Sequence, residues 1–244
     1  MKEGTLYVIA TPIGNLEDIT LRALSVLRDE VEVIYCEDTR QTRKLLQHYG
    51  IKAPAYALHA HSSDSVIERV IRTLKEGRSV AYMTDSGTPA ISDPGSKLVS
   101  RVRLNGLTVS PLPGASAVSS ILSVCGFPEK EFHFAGFLSK KEGRRLRELE
   151  TLRTCRSLII LYESPYRIKK LLKAVSEIFP GREILIGREM TKLPEEFIAG
   201  SIEEIMQNLD TLKEKGEFTV LIHNGSHARY DEEGGTEEDE EGDH

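Results

Sequence analysis

Residues 65–84 read S-V-I-E-R-V-I-R-T-L-K-E-G-R-S-V-A-Y-M-T, and two periodicities meet inside them. Val66, Ile67, Val70, Ile71 and Leu74 recur at the spacing that gathers side chains on one helical face. Ser65 followed three residues later by Glu68 has the form of a capping box, and Gly77 is a stop, so the spacing predicts a helix over 65–76. After that stop, S-V-A-Y-M-T (79–84) is a short β-branched and aromatic run. Such a run suits a strand covered on both faces, and a helix feeding one is half of a parallel α/β unit.

Working outward, L-Y-V-I-A-T (6–11), V-E-V-I-Y-C (31–36), P-A-Y-A-L (54–58) and L-T-V-S-P-L (107–112) are runs of the same kind. Their alternation with helical segments implies right-handed crossovers and a mostly parallel sheet. Past a small-residue helix over 114–126, strands are expected near 132–137, 158–163, 183–189, 196–199 and 218–223, with helices over 141–153, 166–178 and 202–214. Ser164 and Pro165 read as the N-cap and first residue of the helix at 166, and Ser201 with Glu204 as a capping box. No helix separates the strands at 183–189 and 196–199, so this half should contain an antiparallel pair and a mixed sheet. The expectation is two α/β domains, 1–117 and 118–225, with a ligand cleft between them.

Composition narrows the class. The net charge of -6 comes from residues 231–244, which hold nine of the 38 acidic groups and none of the 32 basic ones, leaving a mildly basic body. Residues 226–244 are expected to be a disordered acidic tail, either a solubility tail or a mimic of nucleic acid. No apolar run approaches membrane-spanning length, and the start M-K-E-G-T lacks the apolar core of a signal peptide, so a cytoplasmic protein is expected. Cys36, Cys125 and Cys155 are odd in number and far apart, which argues for buried thiols rather than a disulfide framework or a zinc site.

Four polar loops share one position, just after a strand or at the start of the next helix: T-P-I-G-N-L-E-D-I-T (11–20), C-E-D-T-R-Q-T-R (36–43), D-S-G-T-P-A-I-S-D-P-G (85–95) and P-L-P-G-A-S-A (111–117). Each alone reads as an ordinary turn. Together they mark the carboxyl edge of a parallel sheet, where α/β proteins bind ligands. No phosphate-binding P-loop, dinucleotide glycine fingerprint or H-E-x-x-H is present, and Ser86 in D-S-G has no evident histidine partner. His59 and His61 fall on one side of a strand end, a spacing that permits metal ligation but is more often a polar strand end.

These loops, with Y-E-S-P-Y-R-I (162–168) and G-R-E-M-T-K-L-x-E-E (187–196), resemble in order and spacing the signatures of the ribosomal RNA small subunit methyltransferase I family, within the tetrapyrrole methylase superfamily of class III methyltransferases. The resemblance covers residues 5–225. It implies a homodimer with S-adenosylmethionine in the interdomain cleft and 2′-O-methylation of a cytidine in the decoding region of 16S ribosomal RNA, with no membrane or DNA partner. Carried over by motif, the cofactor positions are Pro12, Ile13, Asp85, Ser86, Gly87, Thr88, Ser116, Ala117, Leu161, Tyr162 and Glu163, and less directly Arg188, Glu189, Phe218 and Thr219. Asn15 departs from the superfamily, whose tetrapyrrole enzymes hold an aspartate there; an asparagine cannot accept a proton.

The residues themselves suggest the chemistry. Asp85 could accept from the cofactor's ribose hydroxyls or amino group, and the free N–H groups of the helix from Gly114 could receive its carboxylate. Removing the proton of an acceptor hydroxyl calls for a carboxylate, and Glu37, Asp38, Asp93 and Glu163 are candidates. Glu37 and Asp38 are preferred because Arg40 and Arg43 beside them could hold an RNA phosphate. E-D-T-R also reads as a plain helix start with Thr39 as cap. Lys140, Lys141, Arg144, Arg145 and Arg147 form a basic segment suited to RNA phosphates, or else a solvated helix face. The competing readings are a class III methyltransferase of a tetrapyrrole and a noncatalytic RNA-binding assembly factor.

Overall fold

A computed structural model describes residues 3–59, 63–92 and 95–224, arranged as two α/β domains. The first sheet contains β1 (Thr5–Ile9), β2 (Val31–Cys36), β3 (Ala55–Ala57), β4 (Ser79–Met83) and β5 (Thr108–Leu112), all parallel in the order β3-β2-β4-β1-β5. Helices α1 (Leu21–Asp29), α2 (Thr39–His48), α3 (Asp64–Lys75) and α4 (Ser96–Leu104) supply the crossovers. Alternate residues feed opposite layers. Ile34, Cys36, Ala81 and Met83 join the core under α1 and α2, whereas Val33, Tyr35, Val80 and Tyr82 join the one under α3 and α4. Period-two alternation with both faces apolar is why these strands read as continuous hydrophobic runs.

The chain then passes through α5 (Ala117–Val124) into a second sheet of β6 (Phe132–Phe137), β7 (Leu158–Glu163), β8 (Glu183–Arg188), β9 (Glu196–Ser201) and β10 (Phe218–His223), in the order β6-β7-β10-β8-β9. β6 and β7 are parallel, and the remaining pairs are antiparallel. Helices α6 (Glu142–Leu152), α7 (Ile168–Ile178) and α8 (Ile202–Gln207) cover one face of this sheet. Val118 and Ile121 of α5 pack on the other face, against Leu158, Ile160, Leu185 and Leu221.

Several helix ends differ from their local expectation. Ser65 and Glu68 do not form a capping box: α3 begins at Asp64 with Ser63 at the N-cap, and Glu68 instead pairs with Arg101 of α4. At α7 the segment after Ser164 is first a turn, with the N–H groups of Arg167 and Ile168 both donating to the Ser164 carbonyl, so the N-cap is Arg167. The Ser201–Glu204 capping box is present, but α8 ends at Gln207 and a 3-10 turn over Leu209–Thr211 follows. Of the thiols, Cys36 is buried while Cys125 and Cys155 are half-exposed, and all three are free. Among the described residues no helix is long and apolar enough to cross a membrane. The acidic tail, His61 and Asp93 lie outside the described residues.

Candidate active site

The loops at the carboxyl edge of the first sheet are tied to one another. Thr11 and Gly87 exchange backbone hydrogen bonds of 2.9 and 3.0 Å, which joins the β1 and β4 loops. The Thr88 hydroxyl donates to the Ala115 carbonyl at 3.1 Å, adding the β5 loop. The backbone N–H of Asp38 donates to the Asp85 carboxylate at 3.0 Å, adding the β2 loop. Gly87 has φ +80, and a Cβ there would stand 3.2 Å from the Ile13 side chain. A left-handed turn and a close neighbour together explain glycine at this position.

Across from these loops stand the ends of the second sheet. Because β10 runs antiparallel to β7, its start at Phe218 and Thr219 lies beside Glu163 and Tyr162 at the end of β7. The two sets of loops enclose a cleft of about 370 Å³, within the range of small-molecule sites. A Cβ on Gly14 would come within 2.7 Å of the Thr191 hydroxyl and 2.9 Å of the Met190 carbonyl, so the β1 loop abuts the 190–192 loop of the second domain.

Of the expected cofactor positions, Ile13, Ser86, Gly87, Thr88, Ser116, Ala117, Tyr162 and Glu163 line this cleft, as do Phe218 and Thr219. Pro12, Asp85, Leu161, Arg188 and Glu189 do not. Leu161 is fully buried in the second domain's core, on the strand face opposite Tyr162. Arg188 is 5 % exposed and donates to Glu196 (2.6 Å) and the Lys215 carbonyl (2.9 Å), bracing β9 and the loop before β10. Glu189 accepts from the Glu217 backbone N–H at 2.8 Å and from Lys192 at 3.0 Å. Burial opposes its ionisation, yet those two donors outweigh it and hold its carboxyl below the usual range. Sequence reasoning missed Ile91, Ser92, Phe137, Ser164, Pro165, Met190 and Glu217, which complete the lining. Met190 and Ser164 lie inside motifs already noted, whereas Phe137 and Glu217 depend on strand pairing that no local pattern reveals.

The carboxylates differ in what they can do. The Glu163 side chain is 1 % exposed and paired with Arg167 at 2.6 Å, and it accepts from the Ser164 N–H at 2.7 Å. It braces the turn into α7. Asp38, not Thr39, is the N-cap of α2 and accepts from the Arg40 backbone N–H at 2.8 Å. Hydrogen bonds from the Arg40 guanidinium and then from that N–H bring its carboxyl down to about 2. A base so weak has little appetite for a hydroxyl proton near neutrality. Since the folded value is depressed, the cap's stabilisation is complete above the unfolded value of about 3.9 and is lost only as pH falls through about 2. Asp38→Asn is therefore expected to leave the pH–rate profile between about pH 5 and 8 in place; a displaced acidic limb would restore Asp38 as the base. Asn15 is likewise engaged locally, where its side chain accepts from the Glu17 N–H at 3.1 Å and caps a 3-10 turn.

The start of α5 belongs to the cleft. It begins at Ala117 rather than Gly114, and its N-cap Ser116 makes no side-chain capping bond, so first-turn N–H groups remain available beside the lining. Those donors, the glycine at 87, the Tyr162 ring and the apolar Ile13 and Met190 match the amino-acid end and flat base of S-adenosylmethionine. In the basic segment, Lys140, Lys141, Arg144 and Arg147 are exposed, Arg144 pairing with Glu148 at 3.0 Å. Arg145 is the exception. It is 4 % exposed with a buried Nε that has no partner, because it shares the inward face of α6 with Leu149 and Leu152, so it does not present itself to a surface phosphate. Arg43 is exposed on α2. Among the described residues no cluster of three or more potential metal ligands occurs.

Residues 5–206 match the family model described as Tetrapyrrole (Corrin/Porphyrin) Methylases. The chain belongs to this family. Among its relatives, the "Ribosomal RNA small subunit methyltransferase I" of Leptospira biflexa is 43% identical over 91% of this chain and 92% of its own. The protein of the same name from Thermotoga maritima is 44% identical over 90% of this chain and 98% of its own. Solved structures share the fold: diphthine synthase superposes with a TM-score of 0.68 at 14% identity, covering 90% of each chain. Uroporphyrin-III C-methyltransferase from Thermus thermophilus, complexed with S-adenosyl homocysteine, gives 0.58 at 18% identity over 89% of this chain and 97% of that one.

Proposed function

We propose that the chain is an S-adenosylmethionine-dependent methyltransferase of small-subunit ribosomal RNA, acting on the ribose 2′-hydroxyl of a cytidine in the 16S decoding region. The observation that carries this reading is the cleft between the two sheets, in a chain 41–44% identical over most of its length to relatives named as small-subunit ribosomal RNA methyltransferases. When bound, S-adenosylmethionine supplies an electrophilic methyl group on a sulfonium.

The chain's own residues then hold the cofactor, align the acceptor and take its proton. The start of α5, the Ser86–Thr88 turn and Tyr162 hold the cofactor, with Glu163 and Arg167 bracing the turn beside it. The hydrogen bonds that tie the β1, β2 and β5 loops to the β4 loop hold the cleft-lining residues in place, and alignment of the reacting groups would supply much of the rate in such a displacement. Glu37, next to the Asp38–Arg40 cap at the end of β2, is the proposed acceptor of the hydroxyl proton, and Arg40 and Arg43 the phosphate contacts beside it. Asp85 acts at this site by fixing the β2 loop to the β4 loop. Lys140, Lys141, Arg144 and Arg147 are assigned to RNA phosphates farther along the chain. Domain limits of 1–117 and 118–225, a homodimer and a cytoplasmic location complete the proposal; the packing of α5 on the second sheet supports the first of these.

The test has two stages. S-adenosylmethionine at 100 times its Kd should stabilise the fold by about 2.7 kcal/mol in thermal unfolding, a shift that an assembly factor without a cofactor site would lack. Labelled methyl should then pass to small ribosomal subunits at a ribose oxygen. Label appearing only in an added tetrapyrrole would assign the chain to that branch of the family.

A further inference from the structure

One exposed aromatic residue lines the cleft and a second adjoins its lining in sequence. Phe137, the last residue of β6, lines the cleft yet is 57 % exposed, and Tyr166, which follows the lining residue Pro165, is 89 % exposed. Tyr166 sits in a braced turn: the Arg167 guanidinium reaches back to Glu163 at 2.6 Å and donates to the Leu138 carbonyl at 3.2 Å. That last bond ties the residue after Tyr166 to the residue after Phe137, so the two segments that carry these rings are held together beside the cleft. Phe137 is backed in turn by Tyr162, edge to face at 5.6 Å. Exposed Lys140 and Lys141 follow three and four residues after Phe137.

Aromatic faces beside cationic side chains are what proteins use to take unpaired nucleotides, because every base has a stacking face and every linkage a negative charge. A small apolar ligand would need neither the lysines nor a ring turned wholly to solvent. We infer that Tyr166 and Phe137 form a stacking platform for unpaired bases of the RNA, with Tyr166 holding a nucleotide that flanks the methylated one and Lys140 and Lys141 on the adjoining phosphates. The inference rests on the rRNA methyltransferase reading above. Stacking at the mouth draws the flanking bases out of their helix, and the target ribose follows into the cleft.

Steady-state methylation of small ribosomal subunits by the unsubstituted protein, Tyr166→Ala and Tyr166→Phe tests it, with S-adenosylmethionine affinity measured by calorimetry on each. Tyr166→Ala is expected to lose about 5- to 150-fold in kcat/KM for the subunits, the range of one base–aromatic stack. Cofactor affinity and melting temperature should stay unchanged, because a side chain exposed to this degree supports little of the fold. Tyr166→Phe keeps the ring and should keep the activity. Tyr166→Ala working as well as the unsubstituted protein overturns the platform while leaving the proposed function standing, and so does Tyr166→Phe failing as badly as alanine. An unsubstituted protein that binds the cofactor but methylates no subunit overturns both.

Discussion

Glu163→Ala is expected to lower the melting temperature by roughly 6–12 °C, corresponding to about 3 kcal/mol in a chain of this size. The carboxylate is 1 % exposed and has two partners in the turn that leads to α7, the Ser164 N–H and the Arg167 guanidinium, and Arg167 in turn donates to the Leu138 carbonyl. Its removal leaves Arg167, 18 % exposed, as an uncompensated charge, and that residual solvent contact is why the low end of the range for broken buried pairs applies. Arg167→Met added to Glu163→Ala should recover part of the loss, since the stranded charge is then gone. Differential scanning calorimetry on the single and double variants checks this; a single variant melting with the unsubstituted protein would mean that packing alone holds the turn.

Gly87→Val is expected to strike both stability and cofactor affinity. A β-branched residue at φ +80 costs roughly 1–3 kcal/mol in backbone strain alone. The new side chain would also press on Ile13, 3.2 Å from where its Cβ must stand, and push it into the cleft, so S-adenosylmethionine binding should weaken at least tenfold, about 1.4 kcal/mol. Gly50→Ala is the control. It has φ +63 with open space around it, and should carry strain without any effect on binding. Calorimetric titration of both variants separates the two contributions, and equal affinities would mean that Ile13 does not border the cofactor.

Much of this was legible from residue order. The strands at 31–36, 79–84 and 158–163 were readable because both faces are buried, which leaves an unbroken apolar signature. The polar loops were readable because left-handed turns and close approaches leave few residue choices. Individual side chains were less legible. Leu161 and Tyr162 are neighbours in one motif, but strand alternation sends the first into the core and the second to the cleft. Arg145 sits in a basic run, and helical phase turns it inward while Arg144 and Arg147 face solvent.

The sequence by itself determined the class of fold, the order of its elements and which loops would meet at one sheet edge, because periodicity, caps and turn chemistry are local. Only the tertiary structure decided which groups in those loops remain available. Asp85, Asp38, Arg188 and Glu189 each carry a chemically suitable group, and in each case a partner distant in sequence or a cap beside it engages that group. Phe137, Met190 and Glu217 reach the cleft for the converse reason: parallel pairing of β6 with β7 sets Phe137 beside Tyr162, and antiparallel pairing of β10 with β7 and β8 brings the segments of Glu217 and Met190 to the same edge, although these segments share no local pattern.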